Sequence, residues 1–219
     1  MLFRSPAPLA RDLPRPKLTA VRPDGEPGVA YILDKDLTVC GKVEGEILFP
    51  DDPLISARHA QLLWVNGKLW VEDVNSQDGT FLRLRTHSLL ELQDLIRIGR
   101  QRLRLDSPPT NSPEETTLPW GQSGHPALLV QILEGNLSGE TFPLKPGENL
   151  IGRRHGDIVF SNDGFVSSKH AKIEVGPQNL VLTDLASANG TFIRINKRTE
   201  LHAGDQILLG MQLLRVDSL

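Results

Sequence analysis

"DLASANGT", residues 184–191, sets Ser187, Asn189, Gly190 and Thr191 behind an acidic residue and just ahead of the apolar run "FIRI". A second copy, "DVNSQDGT", occupies residues 73–80, with Asp78 standing where the later copy has Asn189. Outward from these turns the chain keeps repeating itself. Gly41 and Gly152, Ser56 and Ser167, His59 and His170, Asp94 and Asp205, and Gly99 and Gly210 all lie 111 positions apart. The apolar pairs Tyr31/Phe142, Leu33/Leu144, Phe81/Phe192 and Leu103/Leu214 hold the same offset. A gap-free register this long marks a duplicated domain rather than a solenoid unit. Each copy, about 90 residues, is large enough to bury its own core.

Within each copy the hydrophobic period is two. "KLWVEDV", "LIRIG" and "QRLRL" in the first, and "HAKIEV", "NLVLTDL" and "QILLG" in the second, alternate or run apolar over short stretches. Turn signals separate them at Asn66-Gly67, Asp78-Gly79, Gly176-Pro177, Asn189-Gly190 and Gly204-Asp205. Apolar residues never recur at helical spacing for three turns, so the pattern predicts an all-β chain of two antiparallel β-sandwiches. The expected division is a disordered tail over 1–17, a sandwich over 18–105, a Pro/Ser/Thr-rich flexible linker over 106–126 and a second sandwich over 127–219.

Composition excludes several classes. Hydrophobic residues make up 39% of the 219, and no run approaches the roughly 18 apolar residues of a membrane helix. The net charge of −3, with both signs interspersed, argues against a general nucleic-acid binder. Cys40 stands alone, so no internal disulfide forms and a reducing cytoplasm is the expected compartment. The His and Cys residues show neither a His-x-x-x-His nor a Cys-x-x-Cys pair, so no metal or other cofactor is expected. Ser167, His170 and Asp184 make a hydrolytic trio by composition. They lack a Gly-x-Ser-x-Gly elbow, and the same residue types recur in the first copy, so no enzyme is expected.

One set of residues suits an anion. Arg153 follows Gly152, and Ser167 and His170 follow three apart in "VSSKHA". A guanidinium offers five rigid donors and a hydroxyl one short O–H bond, a pairing suited to phosphate. The order of these motifs resembles the forkhead-associated domain, a phosphothreonine-binding module. "GR" at 152, "VSSKHA" at 166, "DLASANGT" at 184 and "GDQILLG" at 204 follow its pattern, and the first copy follows it more loosely through "GK" at 41, "ISARHA" at 55, "DVNSQDGT" at 73 and "LQDLIRIG" at 92.

The resemblance implies loops at one end of each sandwich forming a shallow phosphopeptide platform. Carried onto the second copy, Arg153 and Ser167 hold the phosphate, Ser168 and Lys169 add contacts, and Asn189 bonds the peptide backbone. Gly152, His170 and Gly190 support the site. In the first copy, Ser56, Arg58 and His59 remain, but Lys42 exchanges a guanidinium fork for a point charge. Asp78 accepts but cannot donate, and it would oppose a ligand of about −1.5 to −2 charges. Unit like charges about 4 Å apart repel by about 1 kcal/mol in water and about 4 at surface-like dielectric. The expectation is thus an adaptor in Ser/Thr kinase signalling that binds phosphothreonine proteins through its second domain, with the kinase or its substrates as partners. A scaffold that uses both sandwiches without phosphorylation is the alternative. "EETT", residues 114–117, resembles a kinase-target segment. Phosphorylated Thr116 or Thr117 docking on Arg153 and Ser167 would close the site within one chain or drive self-association.

Overall fold

The structure is a computed structural model, which describes residues 14–108 and 126–219. Among them every regular element is a strand apart from one 3-10 turn at Glu134–Asn136. The first repeat supplies β1 (Lys17–Val21), β2 (Pro27–Ile32), β3 (Leu37–Gly41), β4 (Ile47–Leu48), β5 (Ala60–Val65), β6 (Lys68–Asp73) and β7 (Thr80–Arg83). It continues through β8 (His87–Leu90), β9 (Leu95–Ile98) and β10 (Gln101–Asp106). The second repeats the series as β11 (Ala127–Ile132), β12 (Ser138–Leu144), β13 (Gly147–Gly152), β14 (Ile158–Val159), β15 (Ala171–Val175) and β16 (Leu180–Asp184), and ends with β17 (Thr191–Arg194), β18 (Thr199–Leu201), β19 (Gln206–Leu209) and β20 (Gln212–Ser218).

Local sequence explains these strands. In β5 the burial alternates along Ala60–Val65, as a strand with one buried face requires. Asn66 and Gly67 then take φ of 53° and 75°, the left-handed pair that closes a two-residue hairpin and sets Val65 opposite Lys68. Most strand pairs are antiparallel, and two are parallel. β4 runs parallel to β3, and β14 to β13, because the chain doubles back along the edge it has just left. Glu46 fixes that return in the first copy, its N–H donating to Val39 O (3.0 Å) and its carboxylate accepting from Val39 N–H (2.8 Å).

The division into sandwiches departs from the expected one. One compact unit joins the chain up to Leu82 with Ile195–Leu219, and the other is Arg83–Arg194. Unit 1 has one sheet ordered β7-β19-β20-β1-β2 and another ordered β18-β6-β5-β3-β4. Unit 2 has β12-β11-β10-β9-β17 and β14-β13-β15-β16-β8. Each sandwich therefore takes its last three strands from the other repeat. Segment 106–126, expected to join two sandwiches, instead connects β10 to β11, adjacent strands of unit 2. The chain crosses between units after Leu82 and after Arg194.

The exchanged strands complete each core. Unit 1 buries Ile195, Leu201, Ile207, Leu209, Leu214 and Val216 among Leu18, Cys40, Leu62, Leu69 and Val71. Unit 2 buries Leu90, Ile96, Ile98, Leu103 and Leu105 among Leu129, Leu144, Ile151, Ile173 and Leu182. Polar pairs on the joins differ between units. In unit 1, Arg198 meets Glu72 at 3.1 Å and Lys68 meets Glu200 at 3.0 Å. In unit 2 the equivalent join sets Leu89 opposite Val181 and His87 opposite Thr183. No helix among the described residues is long and apolar enough to cross a membrane. Thr116, Thr117, most of the linker and the first thirteen residues of the expected tail lie outside the described residues.

Candidate functional site

The quoted turn is wired from within. Asp184 accepts from Ser187 Oγ (2.6 Å), Ser187 N–H (2.9 Å) and Thr191 Oγ1 (2.6 Å). Ser187 Oγ accepts in turn from Gly190 N–H at 3.0 Å. Burial works to raise the Asp184 pKa, but the Ser187 and Thr191 hydroxyls and the Ser187 amide outweigh it and hold the carboxyl below its ordinary value. Asp73 builds the same cage with Ser76 and Thr80, at 2.6, 3.0 and 2.7 Å. Each copy needs its acid, hydroxyls and glycine to hold one loop in shape.

His170 joins two loops. Its Nδ1 accepts from Ser167 N–H at 3.0 Å, so Nε2 carries the proton and donates to Gly190 O at 3.1 Å. The ring is wholly buried, and burial lowers its pKa, keeping it neutral. His59 repeats the arrangement with Ser56 N–H (3.2 Å) and Gly79 O (3.1 Å). Gly152 is required by crowding: a Cβ there would lie 2.3 Å from Ser168 O and 2.5 Å from His155 O. Gly190 combines φ of 82° with the Arg83 side chain, whose Nε would be 2.3 Å from a Cβ.

On this frame unit 2 brings all its expected site residues onto three neighbouring loops. Arg153 N–H donates to Ser167 O at 2.9 Å, and Ala188 N–H donates to Ser167 Oγ at 3.0 Å. Asn189 is exposed, and its Nδ2 donates to Phe165 O at 2.8 Å. Ser168 is half-buried and Lys169 exposed. The Nε of Arg153 is buried with no hydrogen-bond partner among the described residues.

Unit 1 assembles the equivalent loops. Lys42 N–H donates to Ser56 O (3.0 Å), Gln77 N–H to Ser56 Oγ (3.0 Å), and exposed Arg58 bonds Gln61 (3.1 Å). Asp78 differs from the expectation. It is only 6% exposed and already engaged, so its charge does not face a ligand as Asn189's amide would. What unit 1 lacks is the donor that Asn189 aims at the preceding loop.

Cys40 is buried and its thiol is pushed up to about 12, chiefly by burial, so it is unreactive. Sequence reasoning missed Asp163, which is 5% exposed and accepts from Arg100 N–H and Gln101 Nε2, both at 2.8 Å. Asp52 does the same for Met211 and Gln212 at 2.8 and 2.9 Å. Their common 111-residue offset was the signal available.

Two sandwiches with the same caged loop, His brace and basic rim define a duplicated β-sandwich recognition module. The chain belongs to the FHA domain family, matching it over residues 38–99 and 149–210. The oxoglutarate dehydrogenase inhibitor of Corynebacterium efficiens is 33% identical over 88 residues, 39% of this chain and 62% of that protein. FhaB of Mycobacterium tuberculosis is 31% identical over 78 residues, 36% of this chain and 50% of FhaB. The matches thus span less than two thirds of these relatives' length. Among solved structures, Mycobacterium tuberculosis EmbR in complex with a low-affinity phosphopeptide has 32% identity, covering 36% of this chain and 22% of that one, with a TM-score of 0.23.

Proposed function

We propose that this protein is a phosphothreonine-dependent adaptor in Ser/Thr kinase signalling, binding through the unit 2 platform while the unit 1 platform is impaired. The observation that carries the reading is the buried, unpartnered Nε of Arg153 beside Ser167. An unsatisfied guanidinium N–H out of water is costly, and a phosphate that draws the Arg153 side chain outward to meet it relieves that cost. Ser167 Oγ accepts from Ala188 N–H, which leaves its own proton to donate to the phosphate. Lys169 adds positive charge at the rim, and Asn189 keeps Oδ1 and a second N–H for a peptide backbone.

The same bonds argue against catalysis, because both nitrogens of His170 are occupied and neither can activate Ser167. Partners are proteins carrying phosphothreonine, the kinase or its substrates among them, and the reduced thiol of Cys40 suits a cytoplasmic setting. Calorimetry of the full chain with a phosphothreonine peptide and its unphosphorylated twin tests the reading. Arg153→Ala removes charged hydrogen bonds of about 1.5–3 kcal/mol and should weaken binding by about ten- to a hundred-fold. Equal affinity of variant and wild type overturns the site. Binding indifferent to phosphatase treatment would instead support a phosphorylation-independent scaffold.

A further inference from the structure

The turn between β9 and β10 belongs to the first repeat but folds against the loop that carries Ser167. Asp163 anchors its backbone at Arg100 and the side chain of Gln101. Gly99 packs so closely that a Cβ would lie 2.9 Å from Val166 and 3.0 Å from Asp163. This grip places the Arg100 guanidinium 4.7 Å from the centroid of the Phe165 ring. Phe165 stands two residues before Ser167, and its carbonyl is the one that holds Asn189. Arg100 is exposed and forms no ion pair among the described residues.

Unit 1 uses the other repeat's turn in the same way, and the side chains delivered are different. Asp52 anchors Met211, which is 63% exposed, and Leu54 occupies the position equivalent to Phe165. Strand exchange therefore gives the unit 2 platform a cation held over an aromatic ring and the unit 1 platform a thioether. A contiguous second sandwich would have received Met211 instead.

We infer that Arg100 is a specificity-determining residue of the unit 2 platform, selecting phosphothreonine peptides that carry an acidic side chain near the phosphothreonine. The inference rests on the phosphopeptide-binding reading. The Phe165 ring holds the guanidinium on one side while Arg100 stays exposed, so N–H groups remain to grip a carboxylate, through two bonds where the fork meets it edge-on. Arg154 and Lys169, exposed on the neighbouring loops, add to the positive field but have no aromatic partner among the described residues to orient them.

The test titrates the full chain with phosphothreonine peptides that differ only in where a single Glu stands in the flanks, each against its Gln twin. One position should gain about three- to five-fold from Glu over Gln, the scale of a well-placed exposed ion pair, and the gain should shrink with added salt. Arg100→Met should abolish that gain, and Arg100→Glu should turn it into a preference for Lys. Met211→Arg added to Arg100→Met should not restore it, because residue 211 serves unit 1. A Glu preference that survives Arg100→Met overturns the assignment, and one that Met211→Arg restores overturns the exchanged placement of the turn. Should Arg153→Ala leave all these affinities unchanged, the failure lies with the phosphopeptide reading and not with Arg100.

Discussion

Cutting the chain between Pro108 and Pro126 should leave one particle, not two. A protease site introduced there yields an N-terminal and a C-terminal piece, each contributing strands to both units. The C-terminal piece buries Ile195, Leu201, Ile207, Leu209, Leu214 and Val216 in unit 1. At about 1.5–3 kcal/mol for each fully buried aliphatic side chain, those six supply about 9–18 kcal/mol of gross attraction. The N-terminal piece returns a similar amount through Leu90, Ile96, Ile98, Leu103 and Leu105 in unit 2. Association of two separate pieces costs about 4–15 kcal/mol in lost freedom, so the surplus is ample for a lasting complex. Size-exclusion chromatography with light scattering reads the result directly. The cut protein should elute with the mass of the uncut chain and separate only in denaturant. Two species of about half that mass in native buffer would mean that each repeat closes on itself, and would refute the exchange.

Ala186 holds φ of 54°, where the first repeat has Asn75 at 61°. Ala186→Asn or Ala186→Gly should therefore stabilise the protein by about 0.5–1 kcal/mol, seen as a rise in melting temperature. His170 has a folded pKa below its unfolded value of about 6.5, so between the two the unfolded chain holds more protons. Stability should fall as pH drops through that window and be flat above it. Urea midpoints that do not move between neutral and mildly acidic pH, in a chain with the exposed His87, His155 and His202 replaced, would contradict the buried neutral ring. Lys42→Arg combined with Asp78→Asn should confer phosphopeptide binding on unit 1, since an amide at position 78 would regain the donor that Asn189 uses toward Phe165 O. Titrating an Arg153→Ala background isolates that gain, and its absence would contradict the reading that Lys42 and Asp78 are what impair unit 1.

Much of this is legible in the sequence. Period-two patterning, Asn66-Gly67 and the offset of Asp73 and Asp184 lead directly to two sandwiches with matching loops. The exchange is not legible, and the reason is physical. Ile96, Ile98, Leu103 and Leu105 correspond to Ile207, Leu209, Leu214 and Val216, so either repeat's last strands fill either core. Hydrophobic pattern cannot distinguish partners of equal shape. The discriminating information sits in the rim, where Lys68 and Glu72 meet Glu200 and Arg198 in unit 1. Contiguous folding would offer them Leu89 and His87 instead. Such surface pairs contribute up to about 1 kcal/mol each, small for stability but enough to bias a choice between near-equal cores. Asp78 misled for a related reason: residue type reveals that a donor is missing, but not that the side chain turns inward.

The crossed strands also bear on how this sequence can change over generations. In a pair of self-contained repeats, a misfit at position 96 is repaired by another change in the first half. Here the side chains that share a core with Ile96 include Leu129, Ile151 and Ile173, all in the second half. Compensating substitutions should therefore link 96 with the second copy and Ile207 with residues such as Leu18 and Leu62. Losing either half by recombination would strip strands from both sandwiches at once, so the halves are inherited as a pair.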